Sequence, residues 1–360
     1  MSIFSVKSTL DNPSWVSGST NFNAIPLSSL RYTKYSDQTM LYCNHPETVS
    51  STYLGDNNYC INKATINTSE ALLYASCNSG VNSVTKFVVR VYNPNSYSVT
   101  IKKVNSGFNC TNNWYPQVGT YESFFNAVSV SNTIPAHQSV WIEDESVLAN
   151  GRFEALMKYT LTGTLVMAVY LCKNKNNIGD NPSYPPISKN EYSGTASAFY
   201  ISTSNTLAAT DLLASYYNSA FYGISSKNFS GNSTESNPIT LLQGGTASED
   251  SSTYNNVGNY GLQYAFSTTL KNDKTSGRVK FKGYVISNPE GHCAGISSGG
   301  VAKAMFLGTN GAGSGAGYNR WNFCETNAIN PGKSITLDYQ YMHLGRGCTP
   351  GIIQWETVEV

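Results

Sequence analysis

The sequence predicts an all-β protein made of two antiparallel β-sandwich domains, jelly-roll-like in type, with one short inserted helix. Three observations indicate this class. Apolar residues alternate with polar ones over strand-length runs, and turns rich in Gly, Pro and Asn separate these runs. Long helical patterns are almost absent. The length of 360 residues exceeds what one hydrophobic core usually serves, so two domains are expected.

The composition restricts the partners of this chain. Charged residues make up 12% and the formal net charge is +1, so no strong field attracts nucleic acid or anionic lipid. No apolar run approaches the roughly 20 residues that a membrane span needs. A net charge near zero, together with 25 Tyr, favours self-association. We therefore expect homo-oligomers or larger assemblies, with glycans as an alternative ligand, and neither nucleic-acid binding nor membrane insertion.

Residues 1–36 are predicted to form an extended N-terminal arm. The segment is polar and turn-rich, yet it has four aromatic side chains that need a surface to cover them, on their own domain or on a neighbouring subunit. These predicted assembly contacts are Phe4, Trp15, Phe22 and Tyr32. The arm has no basic region leading into a long apolar run, so no signal peptide is predicted in this numbering.

Residues 37–175 are predicted to form the first β-sandwich. Alternating apolar residues over 87–92, a turn at 93–95 and a second run over 98–104 predict a hairpin. Thr120 is predicted to cap a short helix over 120–128.

Residues 176–197 are rich in Pro, Asn and Ser, which predicts a linker or a long surface loop before a second β-sandwich over 198–360. Within this second domain, apolar residues at helical spacing predict one amphipathic helix near residues 206–222, ended by Gly223.

Two strand-like runs in the second domain, 262–267 and 279–284, are bordered by corners of Gly and Asn, which predicts another antiparallel hairpin. In a second interpretation, these corners form a binding rim. Its members would be Asn256, Gly258, Asn259, Tyr260, Asn288, Glu290 and His292.

The same corners resemble a known family. The motif Gly258-Asn259-Tyr260-Gly261, followed by Asn288-Pro289-Glu290-Gly291 and Ala294-Gly295, is similar to paired motifs in a module of secreted proteins from endospore-forming bacteria. That module accompanies a stalk domain that is copper-amine-oxidase-N-like. The segment from Leu41-Tyr42 to Val49 resembles the start of the same module. The resemblance covers most of residues 40–355 and implies an extracytoplasmic all-β module without a known reaction.

No reaction chemistry is predicted from side-chain spacing. The four His residues lack the i, i+4 pairing of zinc proteases, and the eight Cys residues contain no C-x-x-C motif. The scattered cysteines allow disulfides without requiring them. The acidic run Glu143-Asp144-Glu145 could bind calcium through its carboxylates, or it could be a solvated strand end. We expect no catalytic residue, no metal and no cofactor.

These observations favour a non-enzymatic, self-assembling structural protein of a spore surface, parasporal body or cell envelope, located outside the cell or on its surface. A double jelly-roll capsid-type subunit is a structural variant of this hypothesis. The alternative is a carbohydrate-binding or adhesin module that uses aromatic side chains such as Trp321 as a stacking platform. A glycan-active enzyme ranks third.

Overall fold

A computed structural model describes fourteen segments of the chain: residues 14–16, 33–34, 37–44, 47–112, 116–178, 193–196, 200–212, 220–224, 240–243, 253–255, 260–287, 292–307, 318–344 and 351–360. The chain divides into two compact units. One consists of Tyr35–Phe199 and Ile239–Asn256, and we call it jelly roll 1. The other consists of Met1–Lys34, Tyr200–Pro238 and Val257–Val360, and we call it jelly roll 2.

The framework of jelly roll 1 has eight consecutive strands. They are β5 (Asn58–Ile66), β6 (Glu70–Gly80), β7 (Thr85–Tyr92), β8 (Val99–Thr111), β9 (Ala127–Ile134), β10 (Ser139–Val147), β11 (Arg152–Leu161) and β12 (Leu165–Cys172). One sheet has the order β5-β12-β7-β10, and the other contains the order β6-β11-β8-β9. The chain therefore moves between the two sheets at almost every connection.

Jelly roll 2 has an equivalent set of strands. They are β15 (Ala220–Ile224), β18 (Gln263–Lys271), β19 (Val279–Ser287), β20 (His292–Ser298), β21 (Val301–Leu307), β22 (Tyr318–Glu325), β23 (Ser334–His343) and β24 (Gly351–Glu359). Their sheets have the orders β15-β24-β19-β22 and β18-β23-β20-β21.

The two units share one topology. When the eight strands of each unit are counted in chain order, both units have one sheet ordered first-eighth-third-sixth and one ordered second-seventh-fourth-fifth. This arrangement of two four-stranded sheets is the jelly roll. The predicted fold class, two jelly-roll-like β-sandwiches, is confirmed.

Additional strands extend these sheets. They are β1 (Ser14–Val16), β2 (Thr33–Lys34), β3 (Gln38–Cys43), β4 (Thr48–Ser50), β13 (Ser193–Ala196), β14 (Tyr200–Ala208), β16 (Thr240–Gln243) and β17 (Thr253–Asn255). Most neighbouring strands are antiparallel. However, β3 and β4 run parallel to β6, and β14 runs parallel to β18. The second framework strand of each unit thus has a parallel neighbour.

The core of jelly roll 1 lies between its sheets and follows the period of two that the sequence predicts. Phe87, Val89 and Val91 are buried in this core together with Val99 and Ile101 of β8. Because side chains alternate across a strand, the intervening residues of β7 and β12 face the other way. There Val88, Ala168 and Tyr170 form a second buried cluster with Ile178. Burial on both faces explains the nearly continuous apolar sequence of β12.

Two α-helices, α1 (Ser51–Leu54) and α2 (Gln117–Phe124), occur within the described residues. Helix α2 begins three residues before the predicted capping residue. Thr120 lies inside the helix, and its single O–H is shared between the carbonyl oxygens of Pro116 and Glu154, each at 3.1 Å from the hydroxyl oxygen. Pro116 suits the first turn of a helix because it lacks an N–H donor. The predicted boundaries 120–128 are therefore shifted, and residues 127 and 128 belong to β9.

The amphipathic helix predicted near residues 206–222 is not found where the structure describes that segment. Residues 206–208 belong to β14, Ala209–Leu212 form a 3-10 turn, and residues 220–222 belong to β15. Residues 213–219 lie outside the described part. Residues 206–208 pair with β18 and residues 220–222 pair with β24, because tertiary context overrides local propensity at both ends of the predicted helix.

Both predicted hairpins are wrong. Strand β7 pairs with β10 and β12, whereas β8 pairs with β11 and β9 in the other sheet. Likewise, β18 pairs with β14 and β23, whereas β19 pairs with β22 and β24. The turns at 93–98 and 272–278 are real, but each crosses from one sheet of the sandwich to the other.

The domain boundaries also differ from those predicted. The arm residues up to Lys34 belong to jelly roll 2, which is remote in sequence. Residues 239–256 return to jelly roll 1, where β16 and β17 extend a sheet through β13. Strand β13 lies within the predicted linker, of which residues 179–192 and residue 197 lie outside the described part.

Candidate functional site

The described part of the predicted binding rim lies at one end of a sheet in jelly roll 2. Tyr260 and His292 are its described members, whereas Asn256, Gly258, Asn259, Asn288 and Glu290 lie outside the described residues. Tyr260 forms a bridge with His343 at the end of β23, and their ring centroids are 4.7 Å apart. His343 lies opposite Ala294 on β20, two residues from His292. The fold thus brings both described members to the same sheet end.

His343 is the residue at this end that sequence reasoning missed. It is fully buried, and its carbonyl oxygen accepts a hydrogen bond from the N–H of Gly261 at 2.9 Å. Gly261 has φ of 75°, which is the left-handed conformation expected for a glycine corner. No motif marks His343 in the sequence, because its proximity to Tyr260 arises from strand pairing across more than 80 residues.

The N-terminal arm adds a strand to its own chain. Residues Ser14, Trp15 and Val16 pair antiparallel with Arg320, Asn319 and Tyr318 of β22. Thr33 and Lys34 pair with β14 in the other sheet of the same unit. Of the predicted assembly contacts, Trp15 is therefore in an intrachain strand, and Phe4, Phe22 and Tyr32 lie outside the described residues.

The acidic run on β10 is neither a calcium cluster nor a solvated strand end. Glu143 is buried, and its carboxylate accepts hydrogen bonds from the Lys103 ammonium and the Tyr159 hydroxyl, each at 2.8 Å. Asp144 instead pairs with Lys175 at 2.6 Å and Lys86 at 3.4 Å. Since neighbouring side chains on a strand point to opposite faces, the run divides between the interior and the surface.

The surroundings of Asp144 and Glu145 shift the pKa values of these two carboxyl groups in opposite directions. The hydrogen bond from Lys175 lowers the pKa of Asp144, and the charges of Lys175 and Lys86 add to that effect. Burial raises the pKa of Glu145, and the neighbouring Glu143 charge raises it further. Asp144 is thus an exposed, ion-paired carboxylate. Its neighbour Glu145 is half-buried, and its charged form lowers the stability of the fold.

A second polar cluster lies on the sheet of jelly roll 2 that contains β19, β22 and β24. The Arg320 guanidinium lies 3.3 Å from the ring centroid of Tyr284 and 2.6 Å from the Glu356 carboxylate. The Tyr284 hydroxyl donates to the same carboxylate at 2.5 Å. Burial, and then the hydrogen bond to Glu356, raise the pKa of Tyr284. This cluster ties three neighbouring strands together, which is a structural role.

The seven cysteines within the described residues are thiols and form no disulfide among themselves. Six are buried, and Cys110 is half-buried. Burial raises the pKa of Cys60 and of Cys172 to about 12. Buried neutral thiols of this kind behave as small apolar side chains. The remaining cysteine, Cys348, lies outside the described part.

The described residues contain no group of three or more His, Cys, Asp or Glu side chains arranged to hold a metal ion. Their helices include none with both the length and the apolar character required to cross a bilayer.

Comparisons with known proteins give little support for an assignment. No family model matches the chain, and no curated protein matches it. Among solved structures, procruciferin, an 11S globulin from Brassica napus, aligns with 8% identity and a TM-score of 0.17, covering 97% of this chain and 85% of that one. The CUB1-EGF-CUB2 domain of human MASP-1/3 aligns with 10% identity and a TM-score of 0.13, covering 81% and 100%. Scores this low support no inference about this chain, and the resemblance to the stalk-associated module stays a prediction.

Proposed function

We propose that this chain is a non-enzymatic structural protein that assembles with copies of itself into a coat or shell. The coat could be of the spore-surface, parasporal, cell-envelope or capsid type. The main observation in support is the repeated topology. One chain contains the same eight-strand jelly roll twice, and jelly rolls are recurrent building blocks of protein shells as well as of lectins and cupins.

The filled interiors favour a building block over a ligand-holding barrel. In jelly roll 1, the rings of Phe87, Phe108 and Phe153 contact one another, with centroids 5.3 to 6.2 Å apart. In jelly roll 2, Phe323, Tyr339 and Trp355 contact one another at 5.7 to 6.0 Å. Large rings thus fill space between the sheets that a small ligand inside the sandwich would need.

The carbohydrate-binding alternative loses one of its suggested residues. Trp321, a member of the proposed stacking platform, is fully buried and packs against Phe323. A stacking platform needs an exposed ring face. Exposed tyrosines do occur in jelly roll 1, with Tyr53 48% and Tyr97 56% exposed, and these suit protein contacts as well as sugar contacts.

The full-length chain, purified under reducing conditions, provides the test. We expect sedimentation velocity to show a concentration-dependent shift from subunits to large species, and negative-stain electron microscopy to show particles or sheets of uniform thickness. A monomer at every concentration up to the solubility limit would contradict the proposal. Saturable binding of such a monomer to a glycan array would instead favour the carbohydrate-binding alternative.

A further inference from the structure

Strand β9 lies at the open edge of a sheet in jelly roll 1. The sheet order ends there, and β8 is its partner strand among the residues that the structure describes. Ser129, Val130, Ser131 and Thr133 are exposed. An edge strand presents a row of backbone N–H and C=O groups that can pair with another strand.

Of the other framework edges, β15 is only five residues long, and the remaining three carry features that oppose such pairing. Strand β10 has the acidic run 143–145 and a bulge against β7, and β21 has Lys303. Strand β5 has Lys63 and an irregular register with β12. Charges and bulges of this kind protect an edge from association. Strand β9, with the sequence AVSVSNTI, has no charge and no proline.

The regular part of β9 is Val130–Ile134, since its register with β8 shifts only before Val130. Ile134 is buried in the core of jelly roll 1. By alternation, Val130 lies on the same face of the strand as Ile134, yet it is 46% exposed. The edge thus leaves a core-facing valine partly in water, and a further strand would cover it.

We propose that β9 pairs antiparallel with β9 of a second copy of this chain, so that the sheet continues across a two-fold axis at Asn132. The inference rests on the proposed function of self-assembly and names one of its contacts. In this register Val130 faces Ile134 of the other copy, Ser131 faces Thr133, and Asn132 faces its own counterpart. An apolar pair, a hydroxyl pair and an amide pair meet without like charges, which makes the edge complementary to itself.

A charge placed on the proposed axis provides the first test. In Asn132→Lys, two ammonium groups would meet at the two-fold axis, so we expect the concentration for half-maximal assembly to rise by at least about tenfold. Ser96→Lys adds the same charge at an exposed loop position and should assemble like the parent. Circular dichroism and melting temperature would establish that both variants are folded.

A cysteine on the axis provides a positive test that needs no loss of function. In Asn132→Cys, mild oxidation of the assembled protein should produce a disulfide-linked dimer on a non-reducing gel, and Ser96→Cys should not. If Asn132→Lys assembles like the parent and Asn132→Cys yields no dimer, the β9 contact is wrong while the proposed function stands. A parent chain that never assembles would overturn both.

Discussion

The Lys103 ammonium lies 2.8 Å from the Glu143 carboxylate, and this ion pair joins the two sheets of jelly roll 1. Lys103 belongs to β8 in one sheet, and Glu143 belongs to β10 in the other. Their side chains are 16% and 2% exposed. Because the Tyr159 hydroxyl satisfies the second carboxylate oxygen, the buried charge is both paired and hydrogen-bonded.

We expect Lys103→Met to lower the free energy of unfolding by about 2–4 kcal/mol, since it leaves the Glu143 charge buried without its cation. Urea denaturation followed by tryptophan fluorescence would measure the loss. The double variant Lys103→Met with Glu143→Gln should recover part of it, because no charge then remains buried.

The matched control for this pair is Lys175→Met. It breaks an ion pair with Asp144 whose side chains are 33% and 37% exposed, so we expect a loss below about 1 kcal/mol. Equal losses of unfolding free energy for Lys103→Met and Lys175→Met would show that burial does not distinguish the two ion pairs.

Glu145→Gln is expected to stabilise the protein at neutral pH and to have little effect near pH 4. Burial and the Glu143 charge raise the pKa of Glu145 in the folded state, whereas the unfolded chain keeps the ordinary value of 4.5. Below that value the group is protonated in both states. As pH rises through it, the unfolded state releases its proton first, and the parent loses stability relative to the variant.

Melting temperatures of the parent and Glu145→Gln across pH 4 to 8 would measure this difference. Because Glu145 is half-exposed, solvent screening should keep the gain small, below about 1 kcal/mol. A gain that grows toward low pH would contradict the assigned cause.

Asn93→Ala is expected to destabilise jelly roll 1 by about 2–3 kcal/mol. Asn93 is fully buried, and its amide nitrogen donates to the carbonyl oxygens of Tyr97, Ile134 and Pro135 at 2.7 to 3.2 Å. Removing the amide leaves buried carbonyl groups without donors. Asn93→Asp, which keeps the size but loses the donor, should be at least as destabilising in the same denaturation assay. If Asn93→Ala has the same free energy of unfolding as the parent, the Asn93 amide does not stabilise the turn between β7 and β8.

A similar asparagine at a different connection of jelly roll 2 explains why strand signals predicted the wrong connections. Asn272 is also fully buried and donates to the carbonyl oxygens of Gly277 and Ile329 at 3.0 and 2.9 Å. Each asparagine directly follows a strand and fixes a turn that crosses between sheets. In sequence, an Asn beside a turn favours a hairpin and a crossing connection equally, because the long-range carbonyl partners are not visible there.

Strand faces were predictable because they depend only on the period of two. Val89 and Tyr264, apolar positions of the alternating runs 87–92 and 262–267, are fully buried. Contacts between remote segments were not predictable in this way. The ring contact between Tyr260 and His343 and the pairing of Lys103 with Glu143 depend on strand order, which local patterns do not encode.

Gly107→Ala is expected to disrupt the packing of α2 on β8. A Cβ atom at Gly107 would lie 2.0 Å from the backbone oxygen of Thr120, so the helix would have to move away. We expect the free energy of unfolding to fall by at least about 3 kcal/mol, or the variant to fail to fold. Gly119→Ala is the control on the helix itself, because its Cβ would meet the side-chain amide of Asn109, which can rotate. Thermal melting of both variants would test the difference, and equal losses would contradict the backbone contact.

Thiol reactivity tests the burial of the cysteines. Among those in the described residues, Cys110 is the half-buried one, and its sulfur accepts a hydrogen bond from the N–H of Leu148 at 3.3 Å. Burial raises the pKa of Cys110, so it should react more slowly than a fully exposed thiol, and the six buried cysteines should react only on unfolding.

The measurement uses a Cys348→Ser background, which leaves seven of the eight cysteines, all within the described residues. With a chromogenic disulfide reagent at pH 8, we expect one slow equivalent per native chain and seven equivalents after denaturation. Adding Cys110→Ser should abolish the native equivalent and leave six in the denatured chain. Rapid reaction of several thiols in the native protein would contradict the buried positions of Cys43, Cys60 and Cys172, since a thiolate forms readily only where solvent reaches the sulfur.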